Sequence, residues 1–204
     1  MVMNERSGQY FDASPAVASD TREVVIDLVQ PPLRLATDRG VFSHGRLDAG
    51  TDYLLRQAPP PPASGVLLDL GCGAGAIALT MARRSPDARV IAVDVNERAV
   101  SLCARNAAAN GLASVEAVRP SDVDPMLRFD LIWSNPPIRI GKAALHELLA
   151  LWLGRLTPEG RAVLVVHKHL GSDSLQHWLT EHGWTTSRIA SSRGYRLLRA
   201  DARQ

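Results

Sequence analysis

Residues Ser134 to Lys142, SNPPIRIGK, follow the apolar run Phe129–Trp133 and end it. Two adjacent prolines donate no ladder hydrogen bonds, so a strand cannot continue through them. An asparagine side chain and rigid backbone carbonyls are left at that edge. Asn135 precedes a proline, which biases it to an extended conformation, and Pro136-Pro137 stiffens the direction of the carbonyl between them. A second group of residues lies upstream. Gly71, Gly73 and Gly75 stand between a buried strand and a helix, where glycine lets the backbone turn tightly and approach a ligand at the helix N-terminus. Asp94 closes the next strand, where a carboxylate is placed to hold ribose hydroxyls. Strand, glycine turn, helix and acidic residue together predict an adenosine-containing cofactor.

With Ala76 in the last position, the glycines also satisfy the dinucleotide fingerprint, so spacing alone does not separate a nicotinamide enzyme from a user of S-adenosylmethionine. Charge favours the second. Asp69 lies two residues before the first glycine, where a carboxylate repels a pyrophosphate and attracts an ammonium or sulfonium. His167-Lys168-His169 follows another strand, but no third ligand stands at metal spacing, and these residues are read as a polar rim with no metal expected. Cys72 and Cys103 are the only cysteines and form no CxxC pair, which predicts free thiols in a reducing compartment.

The elements that must position these residues are legible in the pattern. At 204 residues, 46% hydrophobic and 22% charged, the chain suits one main domain. The first twenty residues, apart from Tyr10 and Phe11, are polar and read as an arm. Short strands follow at Val24–Val29 and Leu33–Thr37, then a helical spacing from Leu47 to Gln57 with a cap at Asp48 or Thr51. The proline-rich stretch APPPPASG is a stiff linker. The predicted division is an arm and cover over residues 1–62 and a catalytic domain over 63–204. Beyond the linker, the apolar runs VLLDL, RVIAVD, SVEAV, FDLIWS and GRAVLVV alternate with helices over Ala76–Arg84, Glu97–Asn110, Ala143–Leu156 and Ser174–Glu181. That alternation predicts an α/β fold with a mostly parallel sheet and ligands at the carboxyl ends of its strands. Two β runs around Ser191–Gly194 predict an antiparallel hairpin at the C-terminal edge.

No apolar stretch approaches the roughly 20 residues of a membrane span, and no basic, apolar and small-residue leader opens the chain; a cytoplasmic protein with no membrane partner is expected. The net charge of +2 does not by itself announce nucleic acid. The tail is locally basic through Arg188, Arg193, Arg196, Arg199 and Arg203.

DLGCGAG (69–75) with AVDVNERAV (92–100) resembles the first two motifs of class I S-adenosylmethionine-dependent methyltransferases, and SNPPI resembles the NPP motif of their amino-methylating branch. GVFSHGRLDAGTDYLL (40–55), SNPPIRIGK and RGYRLLRA (193–200) are similar to the methyltransferase small-domain family, which includes ribosomal RNA guanine-N2 methyltransferases. The likeness covers nearly everything from Val24 to Ala200. It implies a Rossmann-like, seven-stranded sheet with one antiparallel strand and S-adenosylmethionine as cofactor. By resemblance, Asp122 matches the third acidic motif, beside the adenine, and the Gly40–Asp48 stretch with Phe42 lies over the methionine end.

The same resemblance makes Asn135, Pro136, Pro137 and Ile138 the catalytic edge. An exocyclic amine on a base is a poor nucleophile because its lone pair is delocalised into the ring. The Asn135 oxygen and the Pro136 carbonyl would each accept an amine N–H, localising the lone pair toward the methyl group. Ile138 departs from the aromatic residue that follows the prolines in many relatives, so another ring must hold a flipped base; Phe42, Trp133 and Trp152 are the candidates. Arg139 and Lys142 suit phosphate contacts. The implied partner is RNA, specifically ribosomal RNA or a ribosomal subunit, and the expected acceptor is guanine N2. A protein glutamine, a small molecule and a nucleotide-binding module without chemistry are the alternatives. The intact NPP argues against the last, and Ile138 in place of tyrosine weakens the first. The family's two-domain guanine enzymes carry an additional N-terminal domain, which weakens transfer of their substrate to this chain.

Overall fold

The structure, a computed structural model, describes residues 18–203. The predicted arm, with Tyr10 and Phe11, lies almost wholly outside the described residues.

The cover consists of an antiparallel pair, β1 (Arg22–Ile26) and β2 (Leu33–Thr37), followed by helix α1 (Ala49–Gln57). Strand β1 stops three residues short of the predicted Val29, because the chain bends before Pro31 and Pro32. The main sheet comprises β3 (Ser64–Leu70), β4 (Asp87–Val93), β5 (Val115–Val118), β6 (Phe129–Ser134), β7 (Leu156–His167), β8 (Thr185–Ser192) and β9 (Tyr195–Asp201). Its helices are α2 (Ala76–Arg84), α3 (Glu97–Ala109), α4 (Lys142–Leu153) and α5 (Ser172–Glu181). The strand order is β5-β4-β3-β6-β7-β9-β8, parallel except for β9, which runs antiparallel to both neighbours.

This order places the site. The chain leaves β3 outward through β4 and β5, then returns to pair β6 on the other side of β3. The carboxyl ends of β3 and β6 therefore adjoin at the point where the strand order reverses, the usual crevice for a ligand. Helix α4 ends earlier than the predicted Leu156. Gly154 caps it, and Leu156 instead opens β7, where it pairs with Phe129. The C-terminal hairpin turns at Arg193 and Gly194, both with positive φ (50° and 83°), which matches the twist of the flanking strands.

Alternate strand residues face opposite layers. Leu67, Val90, Leu131, Val163 and Leu197 pack with α2 and with Ile26, Leu33, Leu54 and Leu55 of the cover in one buried cluster. Leu68, Ile91, Ile132, Leu164 and Leu198 pack against α4 and α5 in the other. The cover therefore shares a core with the main sheet.

Its outer strand is also held by hydrogen bonds. Asn106 on α3 accepts from the Ala36 N–H at 2.9 Å and donates to the Ala36 carbonyl at 2.8 Å. Asn110 does the same with Arg34, at 3.0 and 2.8 Å. Four helical residues rise about 6 Å and two strand residues about 6.6 Å, so two asparagines one turn apart serve as a substitute strand edge.

Candidate active site

The glycine turn begins where the Gly71 and Cys72 N–H groups both donate to the Val93 carbonyl, at 2.8 and 3.0 Å. Gly71, Gly73 and Gly75 all have positive φ (81°, 52° and 93°), a backbone that other residues rarely adopt. Gly75 has a second requirement: a Cβ there would lie 2.7 Å from Cys103 Sγ and 2.8 Å from Leu79 Cδ1. At Gly71 an added Cβ meets nothing within 4 Å, so that glycine leaves the mouth of the turn open.

Asp69 is fully buried behind this turn and is not on the cleft wall. Its Oδ2 accepts the Ala78 N–H at 2.9 Å, capping the start of α2, while Oδ1 has no hydrogen-bond partner. Burial, opposed by that hydrogen bond and reinforced by the charge of Asp94, raises its carboxyl to about 8. Asp94 does face the cleft. Its oxygens accept from the Gly73 and Asn96 N–H groups, both at 2.9 Å, which locks the carboxylate at the end of β4. Burial raises its pKa against the pull of those bonds. A hydrogen bond with Cys103, then burial, pushes the Cys72 thiol well above its usual range, which suits a structural rather than a nucleophilic thiol; Cys103 is buried beside it.

A cleft of about 800 Å³ runs from Gly71, Asp94 and Asn96 to Asn135, Pro136 and Ile138. Phe42 and Arg46 of the cover stand at its mouth, Phe42 being 49% exposed. At the far end, Asn135 Nδ2 donates to Asp48 Oδ2 at 2.8 Å and lies 3.1 Å from Thr51 Oγ1. Among the described residues nothing donates to Asn135 Oδ1. The Pro136 carbonyl is partly engaged: it accepts the Ile138 N–H at 2.8 Å across a tight turn centred on Pro137 (φ −74°, ψ 70°). One of its two lone pairs is therefore in use and the other remains.

The sequence-predicted residues do not all converge. Asn135, Pro136, Pro137, Ile138, Arg139, Gly71, Asp94 and Phe42 line the cleft. Gly73 lines a small adjoining pocket under the cover, and Gly75 serves the packing of α2. Asp122 does not reach the wall. It is exposed, accepts from Ser121 Oγ at 2.9 Å and pairs with Arg119 at 3.3 Å, and Pro120 lines the cleft in its place. Lys142 is exposed at the start of α4, outside the cleft lining. Of the proposed stacking rings, Trp133 is fully buried core and Trp152, 1% exposed, contributes only to the floor.

The cleft is lined instead by the rings of His167 and His169, which the sequence places on a polar rim, and of Tyr195, which the sequence does not single out. His167 meets Tyr195 edge-on at 4.9 Å and His169 at 5.4 Å, and all three line the cleft. They meet because His167 and Tyr195 are register partners in β7 and β9. No local motif announces that pairing. The locally basic tail is mostly engaged within the protein. Arg188 and Arg196 pair with Asp173, Arg199 pairs with Asp201, and Arg203 lies 3.6 Å over the Trp184 ring. Among the described residues, only Arg193 of the five lacks such a partner.

Strand order, glycine turn, acidic strand end and NPP edge define a class I methyltransferase, an S-adenosylmethionine-dependent enzyme. The residues fit that donor: an open glycine turn, a carboxylate fixed at the end of β4 and an unpaired buried carboxylate oxygen behind the turn. The profile of the methyltransferase small domain matches residues 32–199, and the chain belongs to that family. It is 32% identical over 197 residues to the uncharacterized protein YbxB of Bacillus subtilis, covering 95% of this chain and 98% of that one. It is 37% identical over 184 residues to ribosomal RNA small subunit methyltransferase C of Pseudomonas fluorescens, covering 88% of this chain and 54% of the relative. Among solved structures it resembles the T. thermophilus 16S rRNA N2 G1207 methyltransferase (RsmC) in complex with AdoMet and guanosine, with a TM-score of 0.75 and 26% identity. That match covers 93% of this chain and 52% of the other. The chain thus spans about half the length of the ribosomal RNA enzymes it matches.

Proposed function

We propose that this protein methylates an exocyclic amine in ribosomal RNA, with guanine N2 as the acceptor. The observation that carries the reading is Asn135. Among the described residues its side-chain oxygen has no donor, while its nitrogen is occupied, on an edge shared with the Pro136 carbonyl and the glycine turn. The similarity to ribosomal RNA enzymes supports RNA as the substrate class.

When bound, S-adenosylmethionine supplies an electrophilic methyl group on a sulfonium; Gly71 and Asp94 on the cleft wall would hold it, with Asp69 behind. Asn135 Oδ1 and the free lone pair of the Pro136 carbonyl accept the two amine N–H groups. Held this way, the nitrogen turns its lone pair toward the methyl group and becomes tetrahedral, and the protein stabilises that change with acceptors already in place. No strong base is required, because the methylated ammonium loses its proton readily. His167, His169 and Tyr195 offer the planar surfaces that Ile138 does not, and stacking on a base is worth about 1–3 kcal/mol. The base must be single-stranded or flipped out to enter the cleft.

The test is to incubate the protein with radiolabelled donor and separate pools of ribosomal RNA, transfer RNA, ribosomal subunits and protein. Label is expected in ribosomal RNA or its subunit, as N2-methylguanosine by mass spectrometry. Asn135→Ala should lower the rate by about 10²–10³ with donor affinity retained. Label confined to protein or to a free small molecule would overturn the RNA assignment.

A further inference from the structure

The cover segment reaches into the catalytic edge at one point. Asp48 begins α1, and its Oδ2 accepts the Gly50 N–H at 2.8 Å and the Thr51 N–H at 3.0 Å, as a helix cap does. The same oxygen lies 2.8 Å from Asn135 Nδ2, 87 residues away in the chain. Oxygen and nitrogen of an amide have nearly the same shape, so packing alone does not select one orientation of Asn135. Asp48 does. An oxygen that already accepts two backbone N–H groups has no proton to give, so the Asn135 atom facing it must be the donor, Nδ2. Thr51 Oγ1, 3.1 Å from the same nitrogen, accepts a second proton. The amide is thereby fixed with its oxygen toward the cleft.

The close approach is built in. An added Cβ at Gly50 would come within 3.0 Å of both Asp48 Oδ2 and Tyr195 Cε1, and 3.5 Å from Asn135 Nδ2. Glycine at that place in α1 lets the helix start press against the strand edge.

We infer that Asp48, with Thr51, is the positioning residue for Asn135: the cover orients the amide so that an acceptor, not a donor, meets the incoming amine. The inference rests on the reading of Asn135 given above. Without Asp48, rotation about the last side-chain bond would set an NH₂ against an NH₂, and the amine would lose one of its two acceptors.

Three measurements test this. Asp48→Ser keeps a good helix cap but is too short to hold Asn135, so thermal stability and affinity for S-adenosylhomocysteine should hold while kcat on ribosomal RNA falls roughly 10- to 100-fold. Without any substrate, the side-chain amide resonances of Asn135, followed by nitrogen-15 NMR, should lose their carboxylate-bonded shifts in that variant. Asp48→Asn can keep an amide oxygen at the place of Oδ2, where it accepts the Gly50 and Thr51 N–H groups and Asn135 Nδ2 together. That variant should be at least about tenfold faster than Asp48→Ser. Unchanged Asn135 resonances in Asp48→Ser, or an Asp48→Asn variant no faster than Asp48→Ser, would overturn the inference. If Asn135→Ala retains full turnover, the reading of the site itself fails. An inactive Asn135→Ala beside a fully active Asp48→Ser leaves that reading intact and removes only the role of Asp48.

Discussion

Asp69, read from the sequence as a charge facing the cofactor, lies off the cleft wall in the structure. Its carboxyl is buried behind the glycine turn, with one oxygen capping α2 and the other unpaired. With a folded-state pKa of about 8 against an ordinary 3.8, the folded protein holds a proton that the unfolded chain releases. The cost of that burial is absent below the unfolded pKa, grows as pH rises, and is complete above the folded one. The unliganded protein should therefore lose stability between about pH 4 and pH 8 through this group. Asp69→Asn, which keeps an acceptor for the Ala78 N–H, should be more stable than the parent at pH 9, on the order of a few kcal/mol, and little changed at pH 4. Urea unfolding at the two pH values measures this; equal differences at both would show that Asp69 is not protonated in the fold.

At the scale of elements, the notable contact joins β2 to α3. A strand edge is ordinarily satisfied by another strand, but here Asn106 and Asn110 pair with Ala36 and Arg34. Asn106 is 3% exposed and also donates to the Ala74 carbonyl, beside the glycine turn. Asn106→Leu would leave the Ala36 N–H and carbonyl unpaired away from water, at about 1–3 kcal/mol for each group. Denaturant midpoints should fall accordingly, and donor affinity should fall too, because β2 leads into the Val41–Arg46 segment at the cleft mouth. Asn110→Ala, at a more exposed pair, should cost about 1 kcal/mol or less. A stable Asn106→Leu protein with normal donor binding would show that the apolar core alone seats the cover.

At the scale of the whole molecule, the tail arginines leave little free charge for the RNA proposed above. Most of the tail arginines are engaged internally, whereas Arg139 lines the cleft and Lys142 stands exposed just beyond it. The double change Arg139→Ala, Lys142→Ala should weaken binding of single-stranded ribosomal RNA and reduce the slope of log affinity against log salt by about 1.4, two contacts at roughly 0.7 each. Replacing Arg188 or Arg199 should leave that slope unchanged. A double variant with the parental slope would move the RNA path elsewhere, with Arg46 and Arg193 as the next residues to test.

The sequence by itself determined the fold class, the glycine turn, the acidic strand end and the NPP edge, because each is a local pattern: an apolar period, a backbone conformation that glycine favours, a pair of prolines. Helix α2 and strand β2 fall where the spacing puts them. Asp48 was legible as a helix cap, but its hold on Asn135 was not, because that contact spans the chain from the cover to β6. Only the tertiary structure decided that Asp69 is sealed behind the turn, that Asp122 is spent on Arg119, and that most of the tail arginines are engaged internally. It also brought His167 and Tyr195 together in the cleft, through the antiparallel register of β7 and β9. A side chain's type is written in the chain, but its partner depends on which strands adjoin. Here the insertion of β9 between β7 and β8 set the partners.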